Sequence, residues 1–283
     1  SSNWAFRRRL GACSSEEPMP EGDTIHRAAR TLRAALIDQQ IVAVQSTVSA
    51  VARGHLDGQI IERVEARGKN LLMHFDDGRV LYTHMKMTGS WHVYRDRDRW
   101  RKPPKWAKVI LHTEKLMAVC FNAPVVELLS PLAMKRHRFL SALGPDLLDE
   151  SFDWAQVAGR LKGHGHAPLG EVLLMQQIAC GIGNVYKSET LFLCKQDPFA
   201  RLETFGVDEV QAIYMRARVL MMQNMGGGMR DTRRRDGGRY WVYGRSGELC
   251  RKCGTRVQMR RQGANGRSTY YCSTCQNVRA TAR

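Results

Sequence analysis

The sequence predicts an α+β protein with more than one domain, because three kinds of pattern follow one another along its 283 residues. Apolar residues recur at helical spacing from Thr24 to Ala35, short β-rich runs occupy residues 41–129, and helical patterns return from 152 to 222. A chain of this length can bury one large core or two ordinary ones. We therefore expect a helix packed on a β-sandwich or barrel, followed by a separate helical domain.

The first helix is predicted from apolar residues that share one face, with Asp23 or Thr24 available as its cap: Ile25, Ala28, Ala29, Leu32 and Ala35. The β-rich part consists of short runs separated by turn signals, at 41–44, 71–75, 80–83, 109–111 and 125–128. Asp76-Asp77-Gly78 predicts a hairpin turn between two of these runs. Such a meander is typical of a sandwich or barrel.

Four helices are expected in the second part of the chain. Phe152, Val157 and Leu161 mark the first, and the others are predicted at 170–180, 184–194 and 207–222. The glycines at 226–228 and the arginine-rich stretch at 233–238 interrupt the helical pattern. The expected units are an extension (1–19), an N-terminal domain (20–130), a linker (131–147), a helical domain (148–235) and a C-terminal unit (236–283).

Charge and hydropathy limit the classes of partner. The chain contains 44 Lys+Arg against 27 Asp+Glu, a formal charge of +17, which indicates a polyanionic partner such as nucleic acid. Charge alone does not separate this from a ribosomal or membrane-surface role. No run of 18 or more apolar residues occurs, so we expect no membrane partner and a cytoplasmic protein.

Cysteine spacing carries the strongest single signal. Four of the eight cysteines form two Cys-x-x-Cys pairs, Cys250 with Cys253 and Cys272 with Cys275. Two such pairs place four thiolates on two tight turns, which suits one structural Zn²⁺ in tetrahedral coordination better than a redox role. The apolar surroundings of Cys120, Cys180 and Cys194 indicate reduced packing residues.

The segment between the two cysteine pairs is basic. Four arginines lie there, around an expected hairpin tip: Arg256, Arg260, Arg261 and Arg267. A metal-braced ribbon that carries arginines could probe phosphates or the minor groove. The alternative for any one of these arginines is a solvated basic face.

Pro20 and Glu21 have a chemistry that depends on the start of the chain. If translation begins at Met19 and the methionine is removed, Pro20 carries a secondary amine of the kind that titrates near about 7.7–8.0 and can attack a sugar aldehyde carbon. As an internal residue Pro20 is an unreactive amide. The alternative is that Pro20 opens a helix whose dipole Glu21 and Asp23 complement.

The first residues bear on the same question. Residues 1–18 contain a basic cluster but no apolar core of a secretory signal. We expect residues 1–19 to be absent from the active protein, as upstream sequence read through from a mis-set start. An organelle-targeting peptide is the alternative.

Three shorter motifs each have a functional and a packing interpretation. Gly181–Asn184 joins two apolar stretches and could present backbone N–H groups to an anion, with Asn184 as a cap or phosphate ligand, or could be a packing corner. Lys69 follows Arg67-Gly68 and could reach a phosphate, or could end a solvated turn. Met85 and Met87 near Gly89 could wedge into DNA or could simply pack.

Together and in order, these motifs resemble those of the formamidopyrimidine-DNA glycosylase and endonuclease VIII family, from Met19 to the C-terminus. The resemblance is carried by Pro20–Asp23, 67–69, 84–90, 173–176, 181–186 with Glu189, and 266–269 before Cys272. It implies a β-sandwich with the N-terminal helix, a helix-two-turn-helix domain and a zinc ribbon, with damaged DNA held in the cleft between domains.

The resemblance also implies a role for each matching residue. Pro20 would form a Schiff base with deoxyribose C1′, and Glu21 would assist ring opening and proton transfer. Three residues would clamp the phosphates around an extruded nucleotide: Lys69, Asn184 and Arg267. Of these, Lys69 and Arg267 would also be catalytic. Met87 would fill the void. Base release and β,δ-elimination would leave a one-nucleotide gap, at the cost of unstacking the damaged base.

Two features resemble the endonuclease VIII branch, which prefers oxidised pyrimidines: the sequence Pro-Glu-Gly and a short segment from Arg230 to Tyr243. The arginine and phenylalanine that assist void filling in the purine branch have no counterpart at 121–124. We expect a monomeric repair enzyme of the bacterial nucleoid. The rival hypothesis is a nucleic-acid-binding protein that recognises lesions without cleaving them.

Overall fold

The structure, a computed structural model, describes residues 20–234 and 238–278. The prediction on the extension therefore lies outside the described residues. The chain begins with α1 (Gly22–Leu36). Of the apolar residues expected on its inner face, Ile25, Ala29 and Leu32 are buried, and the other two are partly buried against the same core. Only the cap differs: the helix begins directly after Glu21, which occupies the capping position without bonding the helix through its side chain.

Two antiparallel sheets follow α1. Their strands are β1 (Ala43–Ser46), β2 (Ile61–Arg67), β3 (Asn70–Phe75), β4 (Val80–His84), β5 (Ser90–Arg95), β6 (Ala107–His112), β7 (Leu116–Phe121) and β8 (Val125–Leu129). One sheet has the order β1-β6-β7-β5 and the other β2-β3-β4-β8, with a short α2 (Ser49–Ala52) after β1. Buried residues of both sheets and of α1 form one hydrophobic core. The arrangement is a sandwich, and neither sheet closes into a barrel.

The segment 131–147 contains two short helices, α3 (Pro131–Lys135) and α4 (Arg138–Ala142). The side chains of Ser130 and His137 cap them by accepting the N–H groups of Ala133 and Leu140. The segment therefore crosses between the domains with local order of its own.

The helical domain contains α5 (Trp154–Leu161), α6 (Leu169–Val172), α7 (Asn184–Leu193) and α8 (Val207–Gln223). The helix predicted at 170–180 is wrong, because α6 ends at Val172. The backbone beyond it bonds to the linker instead: Gly144 N–H donates to the Gln176 carbonyl at 2.9 Å, and Cys180 N–H to the Pro145 carbonyl at 2.9 Å. An apolar pattern of helical period cannot report this competition for backbone groups.

The C-terminal unit is a two-stranded ribbon, β9 (Gln258–Gln262) and β10 (Arg267–Tyr271), above the cysteine turns. The predicted α+β class, with a helix on a β-sandwich, a helical domain and a ribbon, is confirmed. Within residues 20–234 and 238–278, no helix is both long and apolar enough to cross a membrane.

Candidate active site and zinc ribbon

Glu21 joins the two domains at the N-terminus of α7. Its carboxylate is fully buried and accepts three backbone N–H groups, those of Gly183 at 2.9 Å, Val185 at 2.8 Å and Tyr186 at 3.3 Å. These are the donors that a helix leaves unpaired in its first turn, and the helix dipole favours an anion there. The predicted anion site at the turn 181–184 thus exists, and the anion bound to its three N–H donors is the carboxylate of Glu21.

Glycine is required where the N-terminus meets this turn. A Cβ atom on Gly183 would lie 2.4 Å from Cδ of Glu21, and one on Gly22 would lie 3.0 Å from Cα of Gly181. Gly22 N–H also donates to the Gly181 carbonyl at 2.9 Å. The residue after Glu21 and the turn before α7 are therefore in direct backbone contact.

Arg230, which sequence reasoning missed, pairs with the acids of the first turn. Its guanidinium donates to both carboxylate oxygens of Asp23, at 2.6 and 3.1 Å, and lies 3.9 Å from Oε1 of Glu21. Burial acts to lower the pKa of Arg230, but Glu21 and Asp23 outweigh it and raise that pKa above its ordinary value. Glu21 and Asp23 thus bond to residues distant in the sequence, in addition to any interaction with the dipole of α1.

Pro20 is partly buried and is one of the residues that line a cavity of about 480 Å³ between α1 and β5. Met85, Trp91 and Arg101 line the same cavity. Pro20 is thus positioned by the buried Glu21 that follows it, and one side of Pro20 faces this cavity.

Lys69 lies on the turn between β2 and β3, after Gly68 with φ +61°. The pKa of Lys69 is lowered to about 8, mainly by burial; Glu21 opposes this shift, and the cations Arg267 and Arg230 add to it. Glu21 and Arg267, which lie far from Lys69 in the sequence, are therefore close enough to it to interact electrostatically.

Asn184 and Lys187 connect α7 to the ribbon. Asn184 Nδ2 donates to Ser268 Oγ at 3.4 Å, and the buried Lys187 ammonium donates to Asn184 Oδ1, the Ser268 carbonyl and Thr269 Oγ1 at 3.2, 3.0 and 2.7 Å. Burial lowers the pKa of Lys187 to about 7. Asn184 makes no side-chain cap, so that alternative is wrong. Arg267, exposed at the start of β10, adjoins this junction.

Lys187 was missed by sequence reasoning although a signal existed. A lysine inside an apolar helical stretch, three residues after Asn184, is seldom buried without a partner. Its spacing from Asn184 predicted a shared helix face but not the ribbon that it contacts.

The two methionines of the turn after β4 differ in exposure. Met85 is 2% exposed and belongs to the sandwich core, whereas Met87 is 62% exposed. Lys86, between them, has φ +43°, and Gly89 N–H closes the turn on the Met85 carbonyl at 2.8 Å. The packing interpretation holds for Met85, and Met87 is presented to solvent.

Met87 and Lys69 lie at the same end of one sheet, because Asn70, the first residue of β3, pairs with His84, the last residue of β4. The pKa of His84 is lowered to about 4 by burial and by the neighbouring cations Lys69 and Lys86. The ring of His84 is therefore neutral near pH 7 and adds no charge beside these lysines.

Glu189 holds the segment beyond α8 on α7. Its buried carboxylate accepts the N–H groups of Trp241, Val242 and Tyr243, each at 2.8 Å, and the hydroxyl of Thr232. Burial raises the pKa of Glu189, although these four donors oppose the shift. The segment from Arg230 to Tyr243 is thus tied down on both sides of residues 235–237.

Asp146 is another residue that sequence reasoning missed. It is 7% exposed, and its carboxylate accepts Gly68 N–H at 2.6 Å, Leu148 N–H at 2.8 Å and His26 Nε2 at 2.8 Å. One side chain near the end of the linker therefore fixes α1 and the turn that presents Lys69.

We expect Asp146→Ala to lower the free energy of unfolding by about 1.5–3 kcal/mol, because the buried Gly68 N–H loses a charged acceptor. Chemical denaturation measures the loss, and hydrogen exchange should show Gly68 N–H exchanging faster. The exposed Asp57→Ala is the control, with an expected change within about 0.5 kcal/mol. Equal stability of the two variants would contradict the role of Asp146.

The four cysteine sulfurs of the ribbon lie within 4.8 Å of one another. The Sγ atoms of Cys250 and Cys275 are 3.9 Å apart, and those of Cys253 and Cys272 are 3.4 Å apart. A tetrahedron with Zn–S bonds of about 2.3 Å has edges of about 3.8 Å, so the donor set fits one zinc ion. Four thiolates close the coordination sphere, which makes the site structural.

The fold and these contacts define a class: a two-domain protein with a zinc ribbon, whose N-terminal helix carries a buried glutamate onto a second domain. Three family models match in order: the formamidopyrimidine-DNA glycosylase N-terminal domain at 19–124, its H2TH domain at 143–234, and a zinc finger found in FPG and IleRS at 247–278. The predicted helix-two-turn-helix domain and the single structural zinc site are thereby confirmed.

Curated relatives agree along the whole length. The chain is 36% identical over 261 residues to a probable endonuclease 8 2 of Streptomyces coelicolor, covering 91% of this chain and 94% of the relative. It is 33% identical over 268 residues to the DNA-(apurinic or apyrimidinic site) lyase Nei2 of Mycolicibacterium smegmatis, covering 92% and 100%. The chain belongs to the formamidopyrimidine-DNA glycosylase and endonuclease 8 family of DNA repair enzymes.

A solved structure supports the fold. The complex of Lactococcus lactis Fpg with DNA that contains N7-benzyl-Fapy-dG superimposes with a TM-score of 0.75 at 22% identity, covering 92% of this chain and 100% of the other. At that identity the likeness concerns the fold.

Proposed function

We propose that this protein is a bifunctional DNA glycosylase and AP lyase that acts through a Schiff base on Pro20. The observation that carries the proposal is the anchorage of Glu21, the residue next to Pro20, by three N–H donors of α7. In this proposal Pro20 acts at the junction of the two domains, where its neighbour Glu21 and the cation Arg267 both influence the pKa of Lys69. Such a junction offers a nucleophile, a carboxylate and phosphate ligands together.

The chemistry follows from a free amine on Pro20. Its lone pair attacks C1′ of the damaged nucleotide, the base departs with the bonding electrons, and the amine gives up its proton. A proton donated to O4′ then breaks the C1′–O4′ bond and opens the ring, and the resulting iminium ion acidifies the protons on C2′. Loss of one of these protons expels the 3′ phosphate, and a second elimination expels the 5′ phosphate. Glu21 serves as the acid/base for ring opening and proton transfer.

The phosphate ligands in this proposal are Lys69, Asn184 and Arg267. The cation Arg267 contributes to the lowered pKa of Lys69 in the free protein, and a bound phosphate relieves that repulsion. Met87 enters the void left by the extruded nucleotide, since its side chain is exposed at the edge that presents Lys69. The net charge of +17 favours binding to the DNA backbone.

Oxidised pyrimidines are the substrates that we propose. The curated relatives named above are called endonuclease 8 and Nei2. The segment 230–243 is short, and hydrogen bonds to Glu189 hold it against α7. We further propose a monomer of the bacterial nucleoid with no membrane partner. We propose the same domain limits that the sequence predicts.

Borohydride trapping on DNA with an abasic or thymine-glycol site tests the proposal. A protein whose first residue is Pro20 should form a reducible covalent complex, because its nitrogen is an amine. A matched protein that retains residues 1–19 should form none, because the same nitrogen is an amide. Pro20→Gly at the free terminus should be trapped weakly, since glycine keeps an amine.

Mass spectrometry of the trapped peptide should locate the adduct on Pro20. Equal trapping of the extended and the trimmed protein would sink the proposal. Tight binding of damaged DNA without trapping of any form would favour the non-catalytic lesion binder.

A further inference from the structure

A long basic loop joins β5 to β6 and carries two tryptophans. Residues 96–106 contain five Arg or Lys side chains: Arg97, Arg99, Arg101, Lys102 and Lys105. Trp100 lies within this loop, and Trp106 ends a short 3₁₀ helix that leads into β6. Aromatic residues interleaved with cations are typical of nucleic-acid-binding surfaces.

The two tryptophans have opposite environments. Trp100 is partly buried, stacked on Tyr94 with ring centroids 5.9 Å apart and edge-on to Phe121 at 5.5 Å. Trp106 is 41% exposed, and within residues 20–234 and 238–278 no ring or cation-π contact involves it. Trp100 therefore anchors the loop, whereas the indole of Trp106 is presented to solvent.

Strand pairing places Trp106 at the same end of the sandwich as the turn of Met87. Phe121 at the end of β7 pairs with Ser90, the first residue of β5, and with Ala107, the first residue of β6. The Met87 turn precedes Ser90 directly, and Trp106 precedes Ala107. Both exposed apolar side chains therefore emerge where these three strands end together.

Hydrogen bonds tie these segments to one another. Asn122 N–H donates to the Trp106 carbonyl at 2.9 Å, and Thr88 Oγ1 donates to the Asn122 carbonyl at 3.0 Å. Lys102 Nζ donates to the Thr88 carbonyl at 3.4 Å. Asn122, with φ +48°, thus links the backbones of the Trp106 and Met87 segments.

We propose that Trp106 stacks on a nucleobase of duplex DNA beside the extruded nucleotide, as an aromatic companion of Met87. The proposal rests on the proposed function, because it takes damaged duplex DNA as the ligand. It supplies an apolar contact at an edge where the segment 121–124 offers neither arginine nor an exposed aromatic side chain.

The cations of the loop favour DNA over a protein as the occupant of this surface. Lys102 and Arg101 flank the Met87 turn and the cavity that Pro20 lines. A phosphate backbone that follows these cations would bring base pairs against Trp106 and Met87 together. A protein partner is the competing outcome in the test.

The test compares binding to a duplex that contains a tetrahydrofuran abasic analogue, measured by fluorescence anisotropy across a salt series. We expect Trp106→Ala to weaken binding about tenfold with an unchanged salt slope, because base stacking involves no counterion release. Lys102→Ala should instead lower the salt slope by about one. Trp106→Phe should keep most of the affinity, since a phenyl ring also stacks.

Val42→Ala is the matched control. Val42 is exposed on the same sheet but bonds through its N–H to His112, at the opposite end of β6, and should bind as the unaltered protein does. Quenching of tryptophan emission on binding should be smaller in Trp106→Phe. Full duplex affinity in Trp106→Ala would overturn the proposal and assign this surface to a protein partner. A loss of affinity in Trp106→Phe as large as that in Trp106→Ala would also overturn it, because a phenyl ring would then fail to replace the stacking contact.

The result of the duplex-binding test is independent of whether Pro20 proves to be catalytic. The tetrahydrofuran analogue has no C1′ leaving group, so its binding does not depend on the amine of Pro20. Failure of borohydride trapping would leave the stacking measurement valid, and failure of stacking would leave the trapping result unaffected.

Discussion

Replacing Arg230 with alanine is expected to lower the free energy of unfolding by about 3–5 kcal/mol, because a buried carboxylate loses the cation that donates hydrogen bonds to it. Asp23 is fully buried and receives two of its hydrogen bonds from this guanidinium, at 2.6 and 3.1 Å. The guanidinium also lies over the ring of Tyr186, 5.0 Å from its centroid. Urea denaturation followed by far-ultraviolet circular dichroism measures the loss.

A solvated ion pair provides the control for Arg230. The side chains of Arg201 and Glu203 pair at 3.5 Å but are 64% and 42% exposed. We expect Arg201→Ala to cost about 0–1 kcal/mol. The double variant Arg230→Met with Asp23→Asn should recover part of the stability, because no unpaired charge is then left at Asp23. A loss of less than about 1 kcal/mol in Arg230→Ala would show that the pair does not support the junction.

Removal of zinc is expected to unfold the C-terminal ribbon and with it the position of Arg267. Zinc binding supplies the folding free energy of such units, about 10–16 kcal/mol in zinc-finger peptides at pH 7. The ribbon is short, and its contacts with the helical domain, such as Gln262 Nε2 to the Pro198 carbonyl at 2.9 Å, need a folded hairpin. Hydrogen exchange after chelation should show β9 and β10 losing protection while β2–β4 keep theirs.

Cysteine variants separate metal ligation from packing. Cys272→Ser should lower the zinc content from one ion per chain and weaken DNA binding, because Arg267 and the Lys187 contacts lie on the same ribbon. Cys194→Ser, a cysteine outside the cluster, should keep one zinc ion. Zinc content is measured by atomic emission. Retention of ribbon protection after complete chelation would contradict the structural role of the metal.

Patterns of local period predicted much of the fold. The apolar stripe of α1 and the β-rich runs predicted a helix on a sandwich, because both depend on which face of each element is buried. The same reasoning failed at 170–180, where the linker residues Gly144 and Pro145 take up backbone groups that a helix would use. Periodicity cannot detect a partner that approaches from another part of the chain.

The candidate site divides in the same way. Cysteine spacing predicted a metal cluster that the structure brings within 4.8 Å, because two tight turns supply the ligands locally. The family resemblance pointed to Pro20, Glu21, Lys69, Asn184 and Arg267, and their roles stay predictions. Arg230, Asp146 and Lys187 carry no comparable motif, since each acts through partners at least 78 residues away in the sequence.

The sequence by itself determined the order of the units, the zinc ligands and the basic character of this protein, because composition and short spacings act along the chain. Only the tertiary structure decided that Glu21 bonds to the N-terminus of α7, that Asp146 bonds to the turn of Lys69, and that Trp106 lies at the same end of the sandwich as Met87. The physical reason is that burial, ion pairing and strand registry depend on which distant segments meet, and local patterns do not record those meetings.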